Sequence, residues 1–143
     1  MKNLIIVLIA LVLFPAMSAN AGKFTEEKKS AIVDNLAEGI VSENCGLRTG
    51  SANVLSDLIN NSYLESDDAS KAMIPLLRML ENGETECERI AAAVALYKLG
   101  NGIGIYRLRG VAQFDDNEKV SQVCKNLYYS YHILNGTEYF IDF

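Results

Sequence analysis

Apolar residues recur every three to four positions from residue 26 onward, the spacing that places them on one side of an α-helix. Short polar or glycine-containing turns interrupt this spacing. The pattern therefore predicts an all-α chain of six helices. Their approximate bounds are Glu26 to Ser42, Cys45 to Asn60, Asp68 to Glu81, Glu84 to Leu99, Ile103 to Phe114 and Glu118 to Tyr131.

Two places in this pattern leave a helix bound open. Pro75 lies inside the third predicted helix, which either kinks there or starts there with Pro75 in its first turn. In the C-terminal tail, residues 132–143, Asn135-Gly136 lies between apolar and aromatic residues. The tail therefore forms a small hairpin or lies across the exposed end of the last helix pair.

The stretch from Arg89 to Gly100, RIAAAVALYKLG, is the helix best suited to contact neighbours on nearly every side. Its alanines allow other helices to approach closely, its larger apolar residues fill the remaining gaps, and Gly100 ends it abruptly. We expect this helix at the centre of the domain.

The helices also repeat. When the sequence is aligned with itself at a constant offset, which we call the first shift, the centre of the chain aligns with its end. A longer offset, which we call the second shift, aligns Arg48 with Arg89. The first shift matches Ile74 with Ile105, Leu77 with Leu108, Ala92 with Val123 and Leu96 with Leu127. A period in the thirties made of two helices is typical of an α-solenoid, in which stacked helix pairs share one core.

In this repeat a leucine-rich helix and an acidic turn precede a helix that opens with arginine and continues through alanines to Leu-Gly. The residues that carry this pattern are Arg89, Ala91, Ala92, Ala93, Leu96, Leu99 and Gly100. The stretch from Lys71 to Leu127 thus resembles the HEAT-like helical repeats of bacteria. The resemblance implies a short α-α superhelix of about three helix pairs with a binding or scaffolding role, and no particular partner.

Arg48 and Arg89 hold corresponding positions in two predicted helices, where each could bind an anion. The resemblance implies instead that each arginine ties adjacent repeats together through a carboxylate in the neighbouring turn, and we favour this structural role. In the last pair, Val120 stands where the arginine is expected.

Three cysteines, Cys45, Cys87 and Cys124, cannot all pair within one chain. Cys45 and Cys87 lie near the starts of corresponding helices, so a disulfide between them is conceivable, although adjacent helix axes are about 8–10 Å apart. Cys124 lies on an apolar stripe, where a cysteine acts as a small hydrophobic residue.

The N-terminus predicts export. Lys2 precedes an unbroken apolar run over residues 4–14, and Ala19-Asn20-Ala21 offers the small-x-small pattern of a cleavage site. This arrangement is typical of a signal peptide removed after Ala21; an uncleaved anchor is the alternative, although the run is too short to span a bilayer. Residues 22–143 then form one domain in a periplasm or outside the cell.

Charge and composition exclude several functions. The net charge of −5 becomes −6 when Lys2 leaves with the signal peptide, so neither nucleic acid nor anionic lipid is an expected partner. A second hydrophobic segment is not found after residue 21, so we do not expect the mature chain to insert into a membrane. Glu86, Cys87 and Glu88 point in different directions on a helix and are poorly spaced for a metal, and Gly100 to Gly104 follows a helix rather than the strand of a nucleotide-binding loop.

No catalytic group set and no cofactor site is recognisable. The residues therefore predict an exported, non-catalytic interaction or scaffold protein, whose unidentified protein partner binds the face formed by the second helix of each pair. The alternative is an accessory or small-molecule-binding protein, since some HEAT-like proteins resemble lyases or handle cofactors.

Overall fold

The computed structural model describes residues 24–138, and every regular element in this part of the chain is helical, as predicted. The predicted signal peptide, residues 1–21, lies outside the described residues. One 3-10 turn, Ser70–Ala72, precedes the third helix. The helices are α1 (Glu26–Ile40), α2 (Cys45–Asn60), α3 (Met73–Asn82), α4 (Glu86–Leu99), α5 (Gly102–Phe114) and α6 (Glu118–Asn135).

Side-chain caps explain where most of these helices begin. All but α3 follow a threonine or asparagine whose side chain accepts a hydrogen bond from a backbone N–H of the first turn. The capping residues are Thr25, Asn44, Thr85, Asn101 and Asn117. Gly100 adopts the left-handed conformation, with φ 61°, and ends α4 where the sequence predicts.

The third helix starts later than predicted. It begins at Met73 rather than near Asp68, and Pro75 lies in its first turn, which is the second of the two alternatives. Asp68 is held in the preceding loop, because its carboxylate accepts the Glu65 N–H at 2.9 Å and pairs with Lys29 at 3.1 Å. These contacts stabilise a turn instead of a helix start.

The last helix runs further than predicted. It includes residues 132–135, and Gly136 caps its end with φ 61°. Asn135-Gly136 therefore closes a helix and is not the turn of a hairpin. Residues 139–143 lie outside the described part of the chain.

Packing is centred on α4, which contacts α2, α3, α5 and α6. Ala92 and Ala93 are fully buried there, and their small side chains permit this close approach. α2, α4 and α6 lie side by side in that order, whereas α3 and α5 barely touch. Within residues 24–138 no helix is both long and apolar enough to cross a membrane.

The caps correct the internal register by one position. Thr85 corresponds to Asn117 as the cap of a second helix, and Asn82 corresponds to Phe114 as the end of a first helix. In both cases the two corresponding residues are one position further apart in the sequence than the offset of the first shift. That shift therefore aligned apolar residues that lie on different sides of their helices. The second shift, between α2 and α4, agrees with their caps, Asn44 and Thr85.

Candidate functional site

Consecutive helices contact each other as three pairs, α1 with α2, α3 with α4 and α5 with α6. Arg48 connects the first pair to the second. Its Nε donates to Glu88 Oε1 at 2.5 Å, and its Nη1 donates to the backbone oxygens of Ser42 and Glu43 at 2.9 and 3.0 Å. Glu84 lies 3.6 Å from the same guanidinium. The turn between α1 and α2 is thereby joined to the first turn of α4. We call this group the first junction.

Glu88 is the buried partner of the first junction, with 0% of its surface exposed. Its second oxygen accepts the backbone N–H and the hydroxyl of Thr85 at 2.9 and 3.1 Å, which completes a capping box. Burial raises the pKa of Glu88, but the hydrogen bonds from Arg48 and Thr85 outweigh it and leave the pKa below its ordinary value. The carboxylate is therefore charged and fully engaged at neutral pH.

Arg89 makes the corresponding contacts between the second and third pairs. Its Nε donates to the backbone oxygen of Leu80 at 2.8 Å, and its two terminal nitrogens donate to the two carboxylate oxygens of Asp115. The Arg89 guanidinium lowers the pKa of Asp115, against a smaller opposite effect of burial. We call this group the second junction.

The third pair keeps the contact to a backbone oxygen but has no matching contact to a carboxylate among the described residues. In the register of the helix caps Ser121 corresponds to Arg89, and its hydroxyl donates to the backbone oxygen of Ala112 at 2.8 Å, just as Arg89 Nε donates to Leu80. The expectation that Val120 replaces the arginine is therefore wrong by one position. Val120 is instead fully buried in the core.

These contacts bear on the two interpretations of the arginines. Each guanidinium already binds backbone carbonyls on one side and a carboxylate on the other, so neither presents an open set of donors to an outside anion. The arrangement is the one that a link between helix pairs requires. How much each link stabilises the fold stays a prediction.

The three cysteines occupy two kinds of environment. Cys45 and Cys87 are exposed free thiols at the starts of α2 and α4, with no bond between them in this structure. Cys124 is buried, as its apolar stripe predicts, and burial raises the pKa of its thiol to about 12. Cys124 is therefore unsuited to act as a nucleophile.

The other candidate ligands are already in use. Glu86 pairs with Lys119 at 2.6 Å and Glu88 turns inward to Arg48, so these acids do not converge with Cys87 on one point. Among residues 24–138, no cluster of histidine, cysteine or acidic side chains could hold a metal.

The glycine-rich turn after α4 is a helix connection. Gly100 and Asn101 cap two successive helices, and Gly104 packs against Leu96. These residues are therefore occupied by the local fold, in agreement with a turn that follows a helix rather than a strand.

The remaining open surface of α4 is a single stripe. Cys87 is exposed and Ile90, Val94 and Tyr97 are half-buried, at helical spacing, with half-buried Lys98 at the edge. Every other side chain from Ala91 to Leu99 is buried. Four neighbouring helices cover the rest of α4. This stripe is an apolar strip on the most central helix.

Polar amides flank the stripe. The positions that correspond to Val94 in α2 and α6 are Asn53 and Asn126, and both are exposed. Asn126 accepts a hydrogen bond from Gln122 at 3.0 Å, and Lys98 donates to Asn60 of α2 at 2.7 Å. We call this surface of α2, α4 and α6, with the stripe at its middle, the second-helix face.

The residue patterns miss two of these features. They consider Glu88 only as a poorly spaced metal ligand, although the spacing of Thr85 and Glu88 is that of a capping box. They miss Ser121 because the first shift is one position out. A comparison of cap residues would have found both.

Comparison of the chain with protein-family models, with curated proteins and with solved structures gives no match. The resemblance to HEAT-like repeats therefore rests on the residue pattern of this chain alone.

Proposed function

We propose that the mature chain is an exported, non-catalytic protein-interaction module, built as a short HEAT-like α-solenoid of three helix pairs. The second-helix face is its binding surface. The observation that carries this proposal is the apolar stripe of Ile90, Val94 and Tyr97 on a helix that is otherwise enclosed. Such a surface, apolar at its middle and polar at its rim, has the composition of a protein interface.

The solenoid arrangement is supported by the contacts between pairs. The second helices lie side by side and the first helices contact each other little. Arg48 and Arg89 sit at the same point of successive pairs and reach a carboxylate in the next one. A stack of repeats, each joined mainly to its neighbours, predicts these features.

Site-specific photocrosslinking in the native host tests the binding surface. A photoreactive amino acid replaces Val94, and a matched control carries it at Glu27, an exposed position on α1. We expect one protein to be captured from Val94 and not from Glu27. The same set of proteins from both positions, or none from Val94, contradicts the second-helix face.

Export is tested separately by the intact mass of the protein recovered from the native host. Cleavage after Ala21 produces a chain that begins at Gly22. Recovery of the full-length mass from the membrane fraction contradicts export as a soluble product and supports the uncleaved anchor.

A further inference from the structure

The outward side of α5 is more apolar than a solvated helix side needs to be. Tyr106 and Phe114 are 70% and 83% exposed, and Ile103 extends the same side toward the start of the helix. Gly110 lies between the two aromatic side chains, about one helical turn from each. We call these four residues the Gly110 face.

The corresponding side of α3 is mostly polar. In the register of the helix caps, the matching positions carry Ile74, Arg78 and Asn82 on α3 and Lys71 in the 3-10 turn before it. In α5, therefore, an apolar residue replaces Lys71, an aromatic residue replaces Asn82, and glycine replaces the long side chain of Arg78. The difference is confined to the surface, because the inward positions of both helices remain apolar.

Gly110 has no role inside the molecule that requires a glycine. A Cβ atom built there meets nothing within 4 Å, and the residue is in an ordinary helical conformation. By contrast, a Cβ at Gly104 would come within 3.3 Å of Leu96. Glycine in a helix interior destabilises the helix relative to alanine, and at Gly110 no packing contact inside the molecule offsets this loss.

A surface hollow of about 270 Å³ lies over this glycine, lined by Tyr106, Arg109 and Phe114 among others. A second hollow of about 320 Å³ adjoins it on the side of α3 and shares Gly110 and Phe114. The missing side chain therefore leaves a notch between two exposed aromatic rings, wide enough to admit a group from outside.

The charge of α5 suggests what such a group carries. The helix contains Arg107 and Arg109 and no acid, in a chain whose net charge is −5. Arg107 pairs with Glu81 of α3. Among the described residues Arg109 has no ion pair, and its Nε is buried without a hydrogen-bond partner. An unpaired guanidinium beside an apolar notch is complementary to a carboxylate beside an apolar side chain.

We propose that the Gly110 face is a docking site for a segment of a partner protein that places an apolar side chain over Gly110 and a carboxylate against Arg109. It is distinct from the second-helix face, since it lies on the first helix of its pair. Anionic membranes are bound by clusters of several lysines or arginines, whereas within residues 24–138 the hollow over the Gly110 face is lined by one cation without an ion pair, Arg109. The notch likewise suits a side chain better than a lipid surface.

Selection from a display library of random short peptides tests the proposal. The selection uses the mature protein and counter-selects on Gly110→Gln. We expect the recovered peptides to carry an apolar residue next to aspartate or glutamate. Synthetic copies should bind Arg109→Gln and Gly110→Gln about tenfold more weakly in fluorescence anisotropy, since one charge-assisted contact or the notch is lost.

Gly50→Gln is the matched control, because Gly50 is also a helix-interior glycine with nothing within 4 Å of its Cβ position. It should leave peptide binding unchanged, and circular dichroism should show all three variants folded. Exchange of the peptide carboxylates for amides should weaken binding to the wild type and have little further effect on Arg109→Gln.

Four results overturn the proposal. These are recovery of no specific peptide, an equal loss of binding with Gly50→Gln, binding of anionic phosphatidylglycerol vesicles in place of peptides, and a concentration-dependent dimer that Gly110→Gln abolishes. The third assigns the face to a membrane surface and the fourth to a second copy of this chain. None of them bears on the second-helix face.

Discussion

The two junctions are built from the same residue but differ in their surroundings. In each, an arginine near the start of a second helix binds a backbone oxygen of its own pair and a carboxylate of the next. Glu88 in the first junction is fully buried and also caps α4, whereas Asp115 in the second junction is 13% exposed and lies in a turn. We therefore expect the contribution of each arginine to the free energy of unfolding to depend on the burial of the carboxylate that it binds.

Removal of Arg48 should have the largest effect. Arg48→Met leaves the buried carboxylate of Glu88 without its counterion, which we expect to lower the free energy of unfolding by about 3 kcal/mol. Urea denaturation at neutral pH measures this loss. Replacement of both partners in Arg48→Met/Glu88→Leu should recover part of it, since no charge is then left buried. A loss below about 1 kcal/mol for the single variant contradicts the importance of the first junction.

The matched change in the second junction should cost less. Arg89→Met leaves Asp115 near solvent, where water replaces part of the lost contact, so we expect a loss of about 1–2 kcal/mol. The same denaturation experiment measures it. If Arg89→Met proves more costly than Arg48→Met, burial of the carboxylate does not determine the difference between the junctions.

Acid should weaken both junctions. The pKa values of Glu88 and Asp115 are below their ordinary values in the folded protein, so each carboxylate contributes stability above the unfolded pKa. This contribution is lost as the pH falls below about 4 and through the lowered folded pKa. As the pH falls from 7 to 3, the free energy of unfolding should therefore decrease less steeply in Arg48→Met than in the wild type. An equally steep decrease in the variant contradicts the pairing of Glu88.

Thiol labelling compares the exposure of the cysteines beside the two junctions, and it requires no mutation. Cys45 and Cys87 are exposed at the helix starts of the first junction, and Cys124 is buried near the second. We expect a thiol reagent to label two cysteines in the native, unreduced protein and three after denaturation. One thiol after denaturation would show a single disulfide bridge, and Cys45 and Cys87, the two exposed cysteines, are the pair that the sequence leaves open for it.

The local features of the fold could be predicted from the residues. Helix periodicity and the polar or glycine-containing turns place six helices with small errors at their ends, and the error at the start of α3 arises where a side chain has an additional partner. Asp68, for example, is assigned to a helix by its spacing, because its bond to Lys29, distant in the chain, leaves no local signal.

The non-local features of the candidate site could not be predicted in this way. Burial of Glu88 depends on the approach of α2, which no spacing within α4 reveals. The notch at Gly110 depends on which side of α5 faces solvent, and α5 is apolar on both sides. In each case the decisive fact is a contact, or its absence, between elements distant in sequence.

Native-state hydrogen exchange tests most directly whether α4 is held between two helix pairs. We predict that the amides of Ala92 to Leu96 exchange only through global unfolding, because four helices cover α4. Amides of α1, which packs mainly against α2, should exchange faster through local opening. Exchange of the α4 amides as fast as those of α1 would contradict the central position of α4.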